Sequence, residues 1–154
     1  MLRASLLLAG LLVAGCTPSP QTTDSAMPRT VISTDQAPGA LGPYSQAIQV
    51  GPHLYCAGQI GIDPATGQLV EGGVQAETQQ ALANLQAVVE AAGFTMGDAV
   101  QVQVFLADLT DFDAMNGVYA TFFPDSPPAR AAFEVARLPR DARVEIMLKA
   151  IKGE

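Results

Sequence analysis

Residue types able to carry chemistry are sparse in this sequence. His53 is the single histidine, in a Gly51-Pro52-His53 turn with no cysteine or carboxylate at ligand spacing, so no metal site can be assembled around it. Cys16 and Cys56 are the only cysteines, and with Cys16 committed elsewhere, as argued below, no disulfide framework is expected. Cys56 precedes Ala57 in an apolar run and reads as a small buried hydrophobe rather than a nucleophile. What remains is a group of charges toward the C-terminus, Arg130, Glu134 and Glu145, interleaved with Ala132, Ala136 and Met147. Whether they do chemistry depends on the elements that carry them.

Alternation and turn residues predict those elements. Strands are expected at 30–33, at 44–50 and, after the Gly51-Pro52 turn, at 53–59, with Asp63-Pro64-Ala65-Thr66-Gly67 as a loop. In the second strand Tyr44, Gln46, Ile48 and Val50 alternate with Ser45, Ala47 and Gln49. Val74, Ala81, Leu85, Val88 and Ala92 recur at helical spacing over 74–92, and Gly93 is a left-handed cap. Val100, Val102, Val104 and Leu106 alternate as a strand against Gln101, Gln103, Phe105 and Ala107. A second helix starts on a capping box of Thr110 and Asp113, carries Phe112, Met115, Tyr119 and Phe122 on one stripe, and stops near Pro124. Strands at 129–137 and 142–152 follow, separated by Leu138-Pro139-Arg140-Asp141. The order βββ-α-β-α-ββ describes an α+β domain, one mixed sheet with two helices on one face.

Parity then sorts the side chains. Val144, Ile146, Leu148 and Ala150 should lie beneath the helices, with Glu145, Met147 and Lys149 on the other face. Phe133 and Val135 are assigned to the helix side, which puts Arg130, Ala132, Glu134 and Ala136 on the uncovered face with Glu145 and Met147. Parity alone reads these charges as solvated. Ala132, Ala136 and Met147 among them nevertheless expose more apolar surface than a monomer tolerates, which points to an oligomer with polar clefts at its interfaces.

A chain of 154 residues, 49% hydrophobic and 15% charged, suits one packed domain. Eight Lys plus Arg face 15 Asp plus Glu, no basic run follows Arg3, and that balance disfavours nucleic acid, which is not expected as a partner. Residues 1–15 read as a lipoprotein signal peptide: Met1-Leu2-Arg3 is the positive start, and the apolar stretch from Ala4 to Ala14 is too short to span a bilayer. Val13-Ala14-Gly15-Cys16 resembles the bacterial lipobox, so Cys16 is expected to be the lipidated N-terminus anchoring the chain to a membrane. Residues 16–29 form a Pro-, Ser- and Thr-rich tether, and 30–154 the domain. Thr17 stands where Asp would signal inner-membrane retention, so the expected location is the cell envelope, on the periplasmic side of the outer membrane.

Four segments resemble the Rid family of enamine/imine deaminases: Gly42-Pro43-Tyr44-Ser45-Gln46; Gly58-Gln59-Ile60; Asn116 with Tyr119 and Phe122-Phe123; and Pro128-Ala129-Arg130 running on to Glu134-Val135-Ala136-Arg137-Leu138-Pro139. The resemblance spans nearly the whole domain. It implies a chorismate-mutase-like fold, a homotrimer with three clefts between subunits, and hydrolysis of short 2-imino acids and enamines, such as 2-aminoacrylate, to 2-keto acid and ammonia. It implies no metal or organic cofactor. Arg130 matches the arginine that holds the substrate carboxylate, and Glu145 the acid that positions water and shuttles protons. Tyr44 and Asn116 match cleft positions, and Gly58 a place where bare backbone approaches the ligand.

The sequence also departs from the family pattern. Ala57 stands where many relatives have serine, and Ala132, two after Arg130, where the best-known members have cysteine. Ala132 keeps a substrate contact only through its backbone. These losses motivate an alternative, a non-catalytic trimeric module of the cell envelope that binds a small carboxylate or a partner protein. Ribonuclease activity, also attributed to the family, is opposed by the acidic balance.

Overall fold

A computed structural model describes residues 27–153. Cys16, the signal and most of the tether lie outside the described residues. Seven strands form one sheet: β1 (Arg29–Ile32), β2 (Ala47–Val50), β3 (His53–Cys56), β4 (Gln59–Ile60), β5 (Ala99–Leu106), β6 (Ala129–Glu134) and β7 (Val144–Ile151). The order is β1-β2-β3-β7-β5-β6, and β4 pairs with β7 alongside. Helix α1 (Gly73–Ala91) links β4 to β5, and α2 (Phe112–Phe122) links β5 to β6. β5 and β6 pair in parallel, as a strand-helix-strand crossover requires, while the other pairs are antiparallel.

Both helices cover the same face. Leu82, Leu85, Val88 and Val89 of α1 and Met115 of α2 pack with Leu54, Val102, Val104, Leu106, Ile146 and Leu148 of the sheet in one buried cluster. Each large side chain so buried stabilises the fold by about 1.5–3 kcal/mol. The predicted alternation of β7 holds, with Val144, Ile146, Leu148 and Ala150 buried. Gly93 takes φ 75° and its N–H returns to the Glu90 carbonyl at 2.8 Å, as expected of the helix cap.

Several boundaries differ from the sequence reading, each for a local reason. The second strand begins at Ala47 rather than 44, because the Gln46 side chain turns inward: it accepts from the Thr34 N–H at 2.7 Å and donates to the carbonyls of Thr34 and Pro38 at 3.0 and 2.9 Å. The third strand breaks at Ala57-Gly58 into β3 and β4. Val100 is exposed at a register shift between Ala99 and Gln101, so it leaves the buried series. Thr110 and Asp113 make no capping box. Asp108 caps instead, accepting from the Thr110 N–H at 2.8 Å and opening a 3-10 turn (Leu109–Asp111) before α2. β6 stops at Glu134 instead of 137.

Candidate active site

The first cluster surrounds Glu145. This residue lies in β7 on the face away from the helices, in register with Ile60 of β4 and Phe105 of β5. It opens into a cleft of about 310 Å³ lined by Leu41, Tyr44, Ala57, Gly58, Ile60 and Pro139, among others. Leu41 donates its N–H to the Tyr44 hydroxyl at 3.2 Å, tying the rim loop to the ring. Gly58 sits directly against the acid, and a β-carbon added there would overlap the carboxylate and stand 2.8 Å from Glu145 Cδ. Gly58→Ala should therefore displace the carboxyl and cut any turnover that depends on it by about a hundredfold, the scale of an ångström-sized misplacement. Steady-state rates beside a thermal melt would check this, since the melt should change little.

Burial raises the Glu145 carboxyl above the ordinary glutamate range. The folded chain thus keeps this proton to higher pH than the unfolded chain does. The associated stability is complete in acid and is lost as pH rises through the raised folded value. Glutamine mimics the protonated acid at every pH. The Glu145→Gln melting temperature is therefore expected to match wild type in acid and exceed it at neutral pH, and a neutral-pH deficit would contradict the assignment.

Three buried polar side chains hold segments around the cleft, one of them the loop that carries Gly58 and Ile60. Gln46 ties down residues 34–38 at the rim; Asn84 of α1 donates to the carbonyls of Ile60 and Ile62 at 3.3 and 2.9 Å; and Glu77 accepts from the Arg143 N–H at 2.7 Å. Neither Glu77 nor Asn84 is marked in the sequence reading, which places Gln46 in a strand and a motif without giving it this role. A signal existed, because Glu77 and Asn84 fall in register with the apolar stripe of α1, where a polar residue must find buried partners. Beyond β6, Arg140 and Asp141 both adopt φ 57°, and Arg140 Nη1 donates to the Gly67 carbonyl at 2.9 Å, which fixes the turn that brings Pro139 to the cleft.

The second cluster surrounds Arg130. Its strand pairs Val102 with Arg130, Val104 with Ala132 and Leu106 with Glu134. Residues paired across a ladder share a face, so Arg130, Ala132 and Glu134 lie on the helix side. The Arg130 guanidinium carbon stands 4.4 Å from the Tyr119 ring centre and 5.6 Å from that of Phe112, both on α2. A hollow of about 510 Å³ opens beside it, lined by Asn116, Tyr119, Ala120, Phe123, Pro127, Pro128 and Arg130. Ala132 packs against the core. The Tyr119 hydroxyl is buried without a hydrogen-bond partner among the described residues, and burial pushes its phenol up to about 12.

This corrects the predicted parity. Arg130 and Glu145 occupy opposite faces of the sheet, and it is Phe133 that shares the uncovered face, stacked 6.2 Å from Phe105. The expectation assumed that the more apolar set of β6 points inward. β6 is an edge strand at the end of the helix layer, where a long cation can lie along aromatic rings with its head in solvent, and where the uncovered face also offers an apolar neighbour. Tyr44, Gly58 and Glu145 thus meet in one cleft, while Asn116 and Arg130 meet in another.

The class so defined is a one-sheet α+β domain with candidate site residues on both faces of the sheet. A family model described as Endoribonuclease L-PSP matches residues 34–152, and the chain belongs to this family, the one its Rid-like motifs resemble. The mouse protein named 2-iminobutanoate/2-iminopropanoate deaminase is 52% identical over 129 residues, covering 84% of this chain and 96% of its own. E. coli TdcF, solved with bound serine, is 39% identical at a TM-score of 0.78 and covers 80% of this chain and 99% of that one. RidA from an Antarctic Psychrobacter is 43% identical at the same TM-score, 0.78, with coverage of 80% and 99%.

Proposed function

We propose that this protein hydrolyses short 2-imino acids and their enamine tautomers to 2-keto acids and ammonia, at a site that two copies of the chain complete together. One copy supplies Glu145, Tyr44 and Gly58, and its neighbour supplies Arg130 and Asn116. What supports the reaction is the 52% identity to a protein named 2-iminobutanoate/2-iminopropanoate deaminase; the sharing between copies is proposed because one chain leaves its acid cleft and its arginine hollow on opposite sheet faces. Unlike patches that must meet make a head-to-tail contact, and such contacts close into a ring when the rotation from copy to copy closes. Val31, Tyr55 and Phe133 leave exposed apolar surface on the uncovered face, in keeping with burial there against a neighbour. A homotrimer with three clefts satisfies these demands.

In the shared site the planar fork of Arg130 pairs with the substrate carboxylate. The imine carbon then faces Glu145. Water adds its oxygen to that carbon while the Glu145 carboxylate takes the water proton. The acid next delivers this proton to the nitrogen, which gives a carbinolamine; the Glu145 carboxylate then carries the adduct's hydroxyl proton to the same nitrogen, and the C–N bond breaks as the carbonyl forms and ammonia leaves. Its net reaction consumes one water and needs no oxidant. A carboxyl held above its usual range is suited to both halves of this transfer.

The test is release of ammonia and keto acid when an amino-acid oxidase generates the imine, measured above the spontaneous rate. Acceleration supports the reading. Saturable keto-acid binding without turnover would leave only a carboxylate-binding module. Eight Lys plus Arg against 15 Asp plus Glu weigh against RNA as the substrate. We propose further that the chain acts at the cell envelope through lipidated Cys16. Labelled fatty acid should enter the wild-type chain in a bacterial host and not Cys16→Ser, and equal labelling would contradict the anchor.

A further inference from the structure

Arg130 is held in place without an acid. The ion pairs among the described residues are Arg137 with Asp141 and Arg143 with Asp111, and Arg130 belongs to neither. Its guanidinium instead lies over two rings, 4.4 Å from Tyr119 and 5.6 Å from Phe112. These residues are seven apart in α2, so one helix stripe presents both. Tyr119 is itself fixed: it is 5% exposed, joins the core cluster, and leans on Phe123 at 4.7 Å between ring centres.

An aromatic face attracts a cation through its quadrupole but takes up none of its N–H donors and cancels none of its charge. A carboxylate in the same place would compete with any incoming carboxylate for the guanidinium fork. We propose that Tyr119, with Phe112 beside it, is the positioning residue that presents Arg130 to the substrate. The inference rests on the proposed function, in which Arg130 is the carboxylate anchor. The ring does the holding. The buried hydroxyl has no hydrogen-bond partner among the described residues, so phenylalanine should serve as well as tyrosine.

The experiment measures 2-oxobutanoate binding by calorimetry and imine hydrolysis by steady-state kinetics on the full chain, for wild type, Tyr119→Leu, Tyr119→Phe and Phe112→Leu. Tyr119→Leu is expected to weaken 2-oxobutanoate binding and raise KM about fivefold, the upper end for a cation–ring contact whose cation keeps its head in solvent. Its kcat should hold within about twofold, because the chemical step is untouched. Tyr119→Phe should match wild type in all three quantities, a rescue that general loss of core packing would not single out for KM. A folded Tyr119→Leu with unchanged KM, or with its loss in kcat instead, overturns the inference, as does a Tyr119→Phe equally impaired. Should Tyr119→Leu fail to fold, Phe112→Leu decides: about a threefold rise in KM supports the inference and no rise overturns it. A wild type that neither binds 2-oxobutanoate nor hydrolyses imines overturns the proposed function and this inference together, whereas a competent wild type with an unmoved Tyr119→Leu overturns this inference alone.

Discussion

Replacing Glu145 by alanine is expected to lower kcat by about 10²–10⁴, the usual contribution of a positioned acid-base group. The acid faces a cleft with apolar walls at Leu41, Ile60 and Pro139, and Tyr44 and Ala57 bring no second carboxyl to replace it. Glutamine occupies the same volume without exchanging protons, so Glu145→Gln should lose nearly as much rate as alanine while keeping the cleft intact. Substrate binding, assigned to another residue, should move far less than kcat. Steady-state kinetics of the two variants beside wild type would check this. Retention of turnover by the glutamine variant would reduce Glu145 to a packing residue.

Arg130→Ala is expected to cost about a hundredfold to a thousandfold in kcat/KM, the scale of losing one partner of a shielded charge pair. This loss should appear chiefly in KM and in weakened binding of a 2-keto acid. Arg130→Lys keeps the positive charge but not the planar pair of donors, so it should recover only part of the affinity. Opposite signatures at the two positions, kcat at Glu145 and KM at Arg130, follow from one group handling protons and the other holding the carboxylate. Equal losses in kcat at both positions would argue against that division of labour.

How much of this was legible in the sequence differs from element to element. α1 and β7 were readable because their apolar residues recur with an unmistakable period and pack on a helix-covered face that admits one register. Tyr44, Gly58 and Glu145 could be proposed together from motifs, and they do line one cleft. β6 misled. Its alternation of Arg130, Ala132 and Glu134 against Ala131 and Phe133 carries little contrast, since alanine suits either side and both faces of this edge strand need apolar cover. The face was set by pairing with Val102 and Val104, a tertiary fact that local polarity does not encode. Gln46 was read as an alternating strand residue. Its amide instead serves the loop of residues 34–38, partners a dozen positions away that no local pattern reveals. At the start of α2, Thr110 and Asp113 had suitable spacing, yet Asp108 two residues upstream reached the free N–H first.

The opposite-face geometry makes the decisive measurement a mixing experiment. Arg130→Ala and Glu145→Ala chains, each inactive alone, would be co-expressed or dissociated and reassembled together, then assayed for ammonia release. If each site draws its arginine and its acid from different copies, equal random mixing should restore about a quarter of the wild-type sites in any closed ring. Recovery near that level is the result expected. Mixed assemblies that form but stay as inactive as their parents would contradict a site shared between copies.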